Sequence, residues 1–243
     1  MTSLSESSQV SESTICFEIP PFAEACRQAA SVEWQASFDH PLLKALIDGT
    51  LEESRFRYYQ MQDARYLEAY ADACSLISVR FSDPDKKLWF IEGARLAIVV
   101  ERELHKEYGR KLGYSAQDIA LLELSPNNRA YQNHLISMCQ KSSQLEAVST
   151  LSPCPWLYAD IGKQFAHVLA TIPDDHPYRD WLATYADPSF VTYTNELLGH
   201  LQFLADQVAS KEVLQNAVDA FVLSARYEVM FWEQAWQLQN WTI

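Results

Sequence analysis

Cys154 stands in Ser152-Pro153-Cys154-Pro155-Trp156-Leu157-Tyr158-Ala159-Asp160-Ile161-Gly162, a thiol bracketed by two prolines at the head of a helix-periodic run. Proline fixes φ and removes a backbone donor, so the chain at the thiol is stiff, and Pro155 suits the first turn of the helix. The positive end of a helix favours the thiolate, which is the nucleophilic form. Two readings stand side by side: a held nucleophile, or a buried cysteine acting as a small apolar filler.

Glu228 is the second group of interest. It lies in Ser224-Ala225-Arg226-Tyr227-Glu228-Val229-Met230-Phe231-Trp232, with Phe221, Phe231 and Trp232 around it at helical spacing. A carboxyl group among aromatic rings has its pKa raised toward neutrality, which a general acid/base near pH 7 requires. Glu233 falls about 140° further round the same helix and reads as a solvated or structural acid.

Asp63 and Tyr66 are three apart and share a helix face that is otherwise apolar. An acid there needs a partner, either Arg65 or the amine of a ligand. Spacing alone favours a solvated acid beside Arg65. Tyr131, Tyr158 and Tyr185 add aromatic bodies with polar tips, each by itself more often core than site. As a set they suit a planar heteroaromatic ligand, whose ring stacks on aromatic faces while hydroxyls and carboxylates fix its nitrogens.

Metal binding competes with this reading. Glu101-x-x-x-His105 and Glu196-x-x-x-His200 each place a carboxylate and an imidazole one helical turn apart. Di-metal carboxylate bundles use Glu-x-x-His with further inward glutamates, and this chain lacks that pattern, so no metal is expected. His40, His134, His167 and His176 have no partners at ligand spacing and read as structural.

Helices must position these groups. Only six glycines occur in 243 residues, and most of the ten prolines sit at the ends of long segments of helical period. Pro20 and Pro21 open a helix through Phe38, and Pro41 opens a short one ending near Gly49. A long helix covers Leu51 to Phe81. Ser82-Asp83-Pro84 caps the next, to about Gly113, and Ser115 with Asp118 has capping-box spacing. Ser125-Pro126 begins another. Helical pattern continues from Ser142 to Ile172 with interruptions at Pro153 and Pro155, then through Tyr178 to Tyr185, Pro188 to Ser210 and Lys211 to Leu238. The expectation is an all-α bundle of about eight or nine helices.

Residues 18–243 read as a single catalytic domain behind a serine-rich, disordered tail of residues 1–17 that lacks the features of a signal peptide. A net charge of −13 with scattered Lys and Arg speaks against nucleic acid. No apolar run reaches the roughly 20 residues of a spanning helix, so no membrane is expected. Five cysteines without a CxxC pair suggest a reducing, cytoplasmic setting rather than a disulfide framework.

Taken in order, Phe38-Asp39-His40-Pro41 with Gly49-Thr50-Leu51, Tyr58-Tyr59 to Gln62-Asp63 to Tyr66-Leu67, Ser125-Pro126 with Tyr131 and His134, Pro153-Cys154 with Trp156-Leu157-Tyr158 and Ile161-Gly162, and Tyr227-Glu228 with Phe231-Trp232 resemble the thiaminase II (TenA) family. That family has a haem-oxygenase-like fold but binds no haem. The resemblance covers nearly everything after the tail. It implies hydrolysis of 4-amino-5-aminomethyl-2-methylpyrimidine to the hydroxymethylpyrimidine of thiamin salvage, with slower cleavage of thiamin, without a cofactor and in a homotetramer. It also implies Cys154 as nucleophile, Glu228 as acid/base, Asp63 as substrate anchor, and Tyr66, Tyr131, Tyr158 and Tyr185 in the pocket. Arg65 and Arg129 depart from the family pattern and are expected to place extra positive charge near the pocket. The competing functions are a pyrimidine- or thiamin-binding protein without catalysis, and a di-metal oxidase of the same overall shape.

Overall fold

The computed structural model describes residues 16–242, apart from the side chains of Val100, Glu101, Leu104 and His105. The expected disordered tail falls mostly on residues 1–15, outside the described residues, as do the Glu101 and His105 side chains of the first candidate metal pair. Twelve helices and no strand are found among the described residues. They are α1 (Pro21–Ala29), α2 (Ser31–Asp39), α3 (Pro41–Ile47), α4 (Glu53–Ser78), α5 (Pro84–Leu112), α6 (Ala116–Leu121), α7 (Pro126–Lys141), α8 (Gln144–Leu151), α9 (Pro153–Leu169), α10 (Arg179–Ala186), α11 (Pro188–Ala205) and α12 (Lys211–Gln237).

Local chemistry starts most of them. Proline occupies the first helical position of α1, α3, α5, α7, α9 and α11, where a missing N–H costs nothing. Asp83, Ser125, Asp187 and Ser210 accept backbone N–H groups at the starts of α5, α7, α11 and α12. Ser115 with Asp118 and Ser143 with Glu146 form full capping boxes on α6 and α8. Gly113 ends α5 at φ 69°, a left-handed turn that glycine enters without a Cβ clash.

The helix count exceeds the expected eight or nine: the ten segments of helical pattern named from the sequence all form, and two of them divide. Residues 142–172 break at Pro153, which has no N–H to continue the ladder of α8. Residues 20–38 break at Ala30, φ −93° and ψ 16°, with neither proline nor glycine to mark the bend. The cause is tertiary. Arg27 on α1 and Trp34 on α2 both donate to Asp160 Oδ2 of α9, at 2.8 and 2.9 Å, and the bend lets both helices reach that acceptor.

In the interior, α4 lies against α5 and α7, α9 against α10, and α12 against α2 and α8. The core is heavily aromatic, with Trp156, Trp181, Trp232, Tyr59 and Phe221 fully buried. One close approach depends on glycine: a Cβ on Gly162 of α9 would lie 1.8 Å from the carbonyl oxygen of Tyr185, so only glycine lets α10 settle there.

Candidate active site

Five helices deliver the candidate residues to one place. α4 brings Asp63 and Tyr66, α7 brings Tyr131, α9 brings Cys154 and Tyr158, α10 brings Tyr185, and α12 brings Glu228. Six of the seven are buried, and Cys154 keeps partial exposure. Around the thiol, Tyr131 Oη donates to Glu228 Oε1 at 2.6 Å, and the Tyr66 and Tyr131 rings meet at 4.9 Å. The buried Tyr66 hydroxyl makes no hydrogen bond of normal geometry and has the Cys154 thiol as its leading titratable neighbour. A second wall surrounds Asp63, which acts electrostatically on Tyr59, Tyr158 and Tyr185. There the Tyr59 and Tyr158 hydroxyls hydrogen-bond at 2.9 Å, and the Tyr158 and Tyr185 rings lie 4.7 Å apart.

Burial sets the protonation states. It pushes the Glu228 carboxyl up to about 7, with the Tyr131 hydrogen bond opposing part of the rise. The Cys154 thiol is held well above its ordinary value, first by burial and then by the charge of Glu228, with Asp63 adding to the rise and Tyr66 opposing it. The helix start was expected to favour the thiolate; Cys154 is indeed the second residue of α9, but burial and the neighbouring acids act in the opposite direction. The resting thiol keeps its proton and needs a base to become a nucleophile.

A sequence profile of the TENA/THI-4/PQQC family matches residues 27–238. The chain belongs to this family. An aminopyrimidine aminohydrolase from Bacillus subtilis is 30% identical over 222 residues, covering 91% of this chain and 92% of the relative. The solved TenA homologue from P. horikoshii OT3 superposes with a TM-score of 0.81 at 26% identity, covering 89% and 98% of the two chains. A domain from Shewanella denitrificans with a haem-oxygenase-like fold superposes at 0.70 with 11% identity, covering 91% and 94%, which shows the shared fold alone.

Within this TENA/THI-4/PQQC chain, all seven residues singled out from the sequence converge, but some of their expected neighbours differ. Asp63 is only 6% exposed, so it is not a solvated acid beside Arg65. Arg65 instead bonds Glu68 and the carbonyls of Ile119, Ala120 and Leu122 at the end of α6. Arg129 is exposed.

In the sequence, Tyr59 stood only as part of a motif and Phe231 only as a neighbour of Glu228, and neither was named as a pocket residue. Tyr59 lies four residues before Asp63, on the same face, and that spacing was a usable signal. Phe231 packs edge-on against Tyr66 with centroids 5.6 Å apart.

The remaining acids and imidazoles have structural partners. Glu233 Oε2 accepts from His40 Nε2 at 3.1 Å, while His40 Nδ1 accepts the Leu42 N–H and caps α3. His134 bonds Ser224 and His176 bonds the Ile47 carbonyl, whereas His167 is exposed. Glu196 accepts from the Trp89 indole at 2.7 Å and His200 packs edge-on against the same indole, so that candidate metal pair is engaged with Trp89. Among the described residues, no three His, Cys, Asp or Glu side chains group closely enough to hold a metal ion, and no helix is long and apolar enough to cross a membrane.

Proposed function

We propose that the chain is an aminopyrimidine aminohydrolase of the thiaminase II type. It hydrolyses 4-amino-5-aminomethyl-2-methylpyrimidine to 4-amino-5-hydroxymethyl-2-methylpyrimidine in thiamin salvage and cleaves thiamin more slowly. The observation that carries this reading is the convergence of the Cys154 thiol with two buried acids, Glu228 and Asp63, each set in its own group of tyrosines. The named activity of the Bacillus subtilis relative supports it.

In the proposed reaction, Asp63 takes the ring's amino group in a charge-assisted hydrogen bond, with Tyr158 and Tyr185 against the ring. Glu228, about half ionised near pH 7, accepts the Cys154 proton and passes it to a ring nitrogen as sulfur adds to the adjacent ring carbon. The C=N electron pair moves onto that nitrogen. The electron-rich ring then expels ammonia from the exocyclic carbon, and water adds in its place. Loss of the thiolate, with the proton returned through Glu228, restores aromaticity. These steps need neither metal nor cofactor.

Residues 18–243 form one catalytic unit in this reading, supported by a continuous core drawn from α1 to α12. Five free cysteines support a reducing, cytoplasmic setting, and by family resemblance the chain assembles as a homotetramer. The test is ammonia release from the aminopyrimidine, with thiamin assayed in parallel, for wild type and Cys154→Ser in chelator-treated buffer. Cysteine-dependent turnover that prefers the aminopyrimidine supports the assignment. Turnover near wild type in the serine variant overturns the covalent route, and retained binding without turnover in wild type marks a pyrimidine-binding protein instead.

A further inference from the structure

Two hydrogen bonds tie α7 to α12 beside the reaction centre. Tyr131 Oη donates to Glu228 Oε1 at 2.6 Å. One turn further along α7, His134 Nε2 lies 3.1 Å from Ser224 Oγ, one turn before Glu228 on α12. Burial pushes the His134 imidazole down to about 4, so it is neutral at pH 7 and adds no charge beside Glu228. The ring of Tyr227 touches both α7 residues. It stacks on Tyr131 with centroids 5.0 Å apart and planes 15° from parallel, and it meets the His134 imidazole at 5.6 Å and 40°.

Tyr131 is fully buried, so neighbouring groups fix its ring, among them Tyr66 at 4.9 Å and Tyr227 at 5.0 Å. A phenol oxygen lies in the plane of its ring, so whatever sets that plane also sets where the hydroxyl can reach. A nearly parallel stacked ring does this. Hydrogen bonds weaken steeply away from linear geometry, so a turned Tyr131 would lose its hold on Glu228. Tyr227 is the residue immediately before Glu228. Adjacent positions of α12 therefore supply the acceptor of the Tyr131 hydroxyl and the surface on which the Tyr131 ring rests.

From this geometry we infer that Tyr227 is a positioning residue for the aminohydrolase reaction: its ring holds Tyr131 at the angle that aims the hydroxyl at Glu228, and its own hydroxyl is not required. The role in catalysis rests on the aminohydrolase reading, whereas the coupling of Tyr227 to Glu228 through Tyr131 does not. The titratable groups that face Glu228 are Tyr131 from α7, Tyr66 from α4, and Cys154 and Tyr158 from α9. Of these four, Tyr131 donates to the carboxyl, and Tyr131 is the one on which Tyr227 stacks.

Infrared titration of the Glu228 carboxyl, assigned by subtracting the spectrum of Glu228→Gln, tests the coupling without relying on turnover. Tyr227→Leu keeps apolar bulk but removes the ring face. It should move the titration midpoint upward by about half a pH unit, part of the shift expected when the whole hydrogen bond is lost. Tyr227→Phe should leave the midpoint at the wild-type value, and adding Tyr227→Leu to Tyr131→Phe should move it no further. Tyr227→Met is measured in parallel with the same expectation as Tyr227→Leu, so that a folding defect in one variant does not remove the test. An unmoved midpoint in Tyr227→Leu and Tyr227→Met overturns the inference. So does an equal shift in the Tyr131→Phe background, because the effect then does not pass through Tyr131. Ammonia release reads the catalytic part: kcat of Tyr227→Leu should fall about threefold at pH 7 with KM unchanged, and Tyr227→Phe should restore it. An unchanged kcat beside a shifted midpoint overturns the role in catalysis. A shifted midpoint in a protein whose wild type releases no ammonia upholds the coupling and marks the aminohydrolase reading as wrong.

Discussion

Tyr131 donates to Glu228 Oε1 at 2.6 Å, linking α7 to α12 inside the bundle. This is a hydrogen bond to a carboxyl group whose pKa burial has already pushed up to about 7, so it places the acid's titration near neutrality rather than higher still. Replacing Tyr131 with Phe removes the hydrogen bond that opposes that rise. The pH–rate profile of Tyr131→Phe should therefore shift its Glu228-dependent limb to higher pH, with kcat about tenfold lower at pH 7 from the mismatch. An unshifted limb would show that Tyr131 does not control Glu228.

Glu228 also makes folding stability depend on pH. Its folded pKa is raised above the unfolded value, so the stabilising effect of the neutral form is complete below about pH 4 and is lost as pH rises through about 7. Above pH 8 the ionised group costs about 3 kcal/mol. Glu228→Gln should melt higher than wild type at pH 8, with the gap closing toward pH 4.5. Calorimetry at the two pH values measures the difference.

The charge of Glu228 raises the Cys154 thiol, so the same Glu228→Gln substitution should speed alkylation of Cys154 at pH 8. Peptide mass spectrometry after brief iodoacetamide treatment follows each thiol separately. In wild type, exposed Cys16 should react first and Cys154 later, with buried Cys26, Cys74 and Cys139 last. Equal Cys154 rates in the two proteins would contradict the coupling.

Gly162→Ala tests the seam between α9 and α10. Its new Cβ would fall 1.8 Å from the Tyr185 carbonyl oxygen, which forces α10 outward. A loss of about 3 kcal/mol is expected from overpacking, seen as a lower denaturation midpoint. Because Tyr185 moves with α10, KM should rise more than kcat falls.

Much of the site was legible because helical geometry turns spacing into facing. Asp63 with Tyr66, and Glu228 among Phe221, Phe231 and Trp232, follow from the helical period alone. The state of the thiol was not legible. A cysteine at a helix start reads as acidic from its local dipole, whereas the burial and the Glu228 charge that raise it come from the packing of other helices around it. The partner of Arg65 was hidden for a related reason. Asp63 is two residues away in sequence, yet residues two apart do not share a helix face, and the carbonyls at the end of α6 lie within the arginine's reach.

By itself the sequence determined the helical class and the proline and serine starts of the helices, because these depend on interactions within a few positions of the chain, and it offered the seven candidate residues through spacing and family resemblance. Tertiary structure decided that the seven meet and that α1 and α2 bend apart at Ala30. Each of these depends on groups from helices far apart in sequence, where burial and hydrogen-bond partners are set by packing and no local pattern records them.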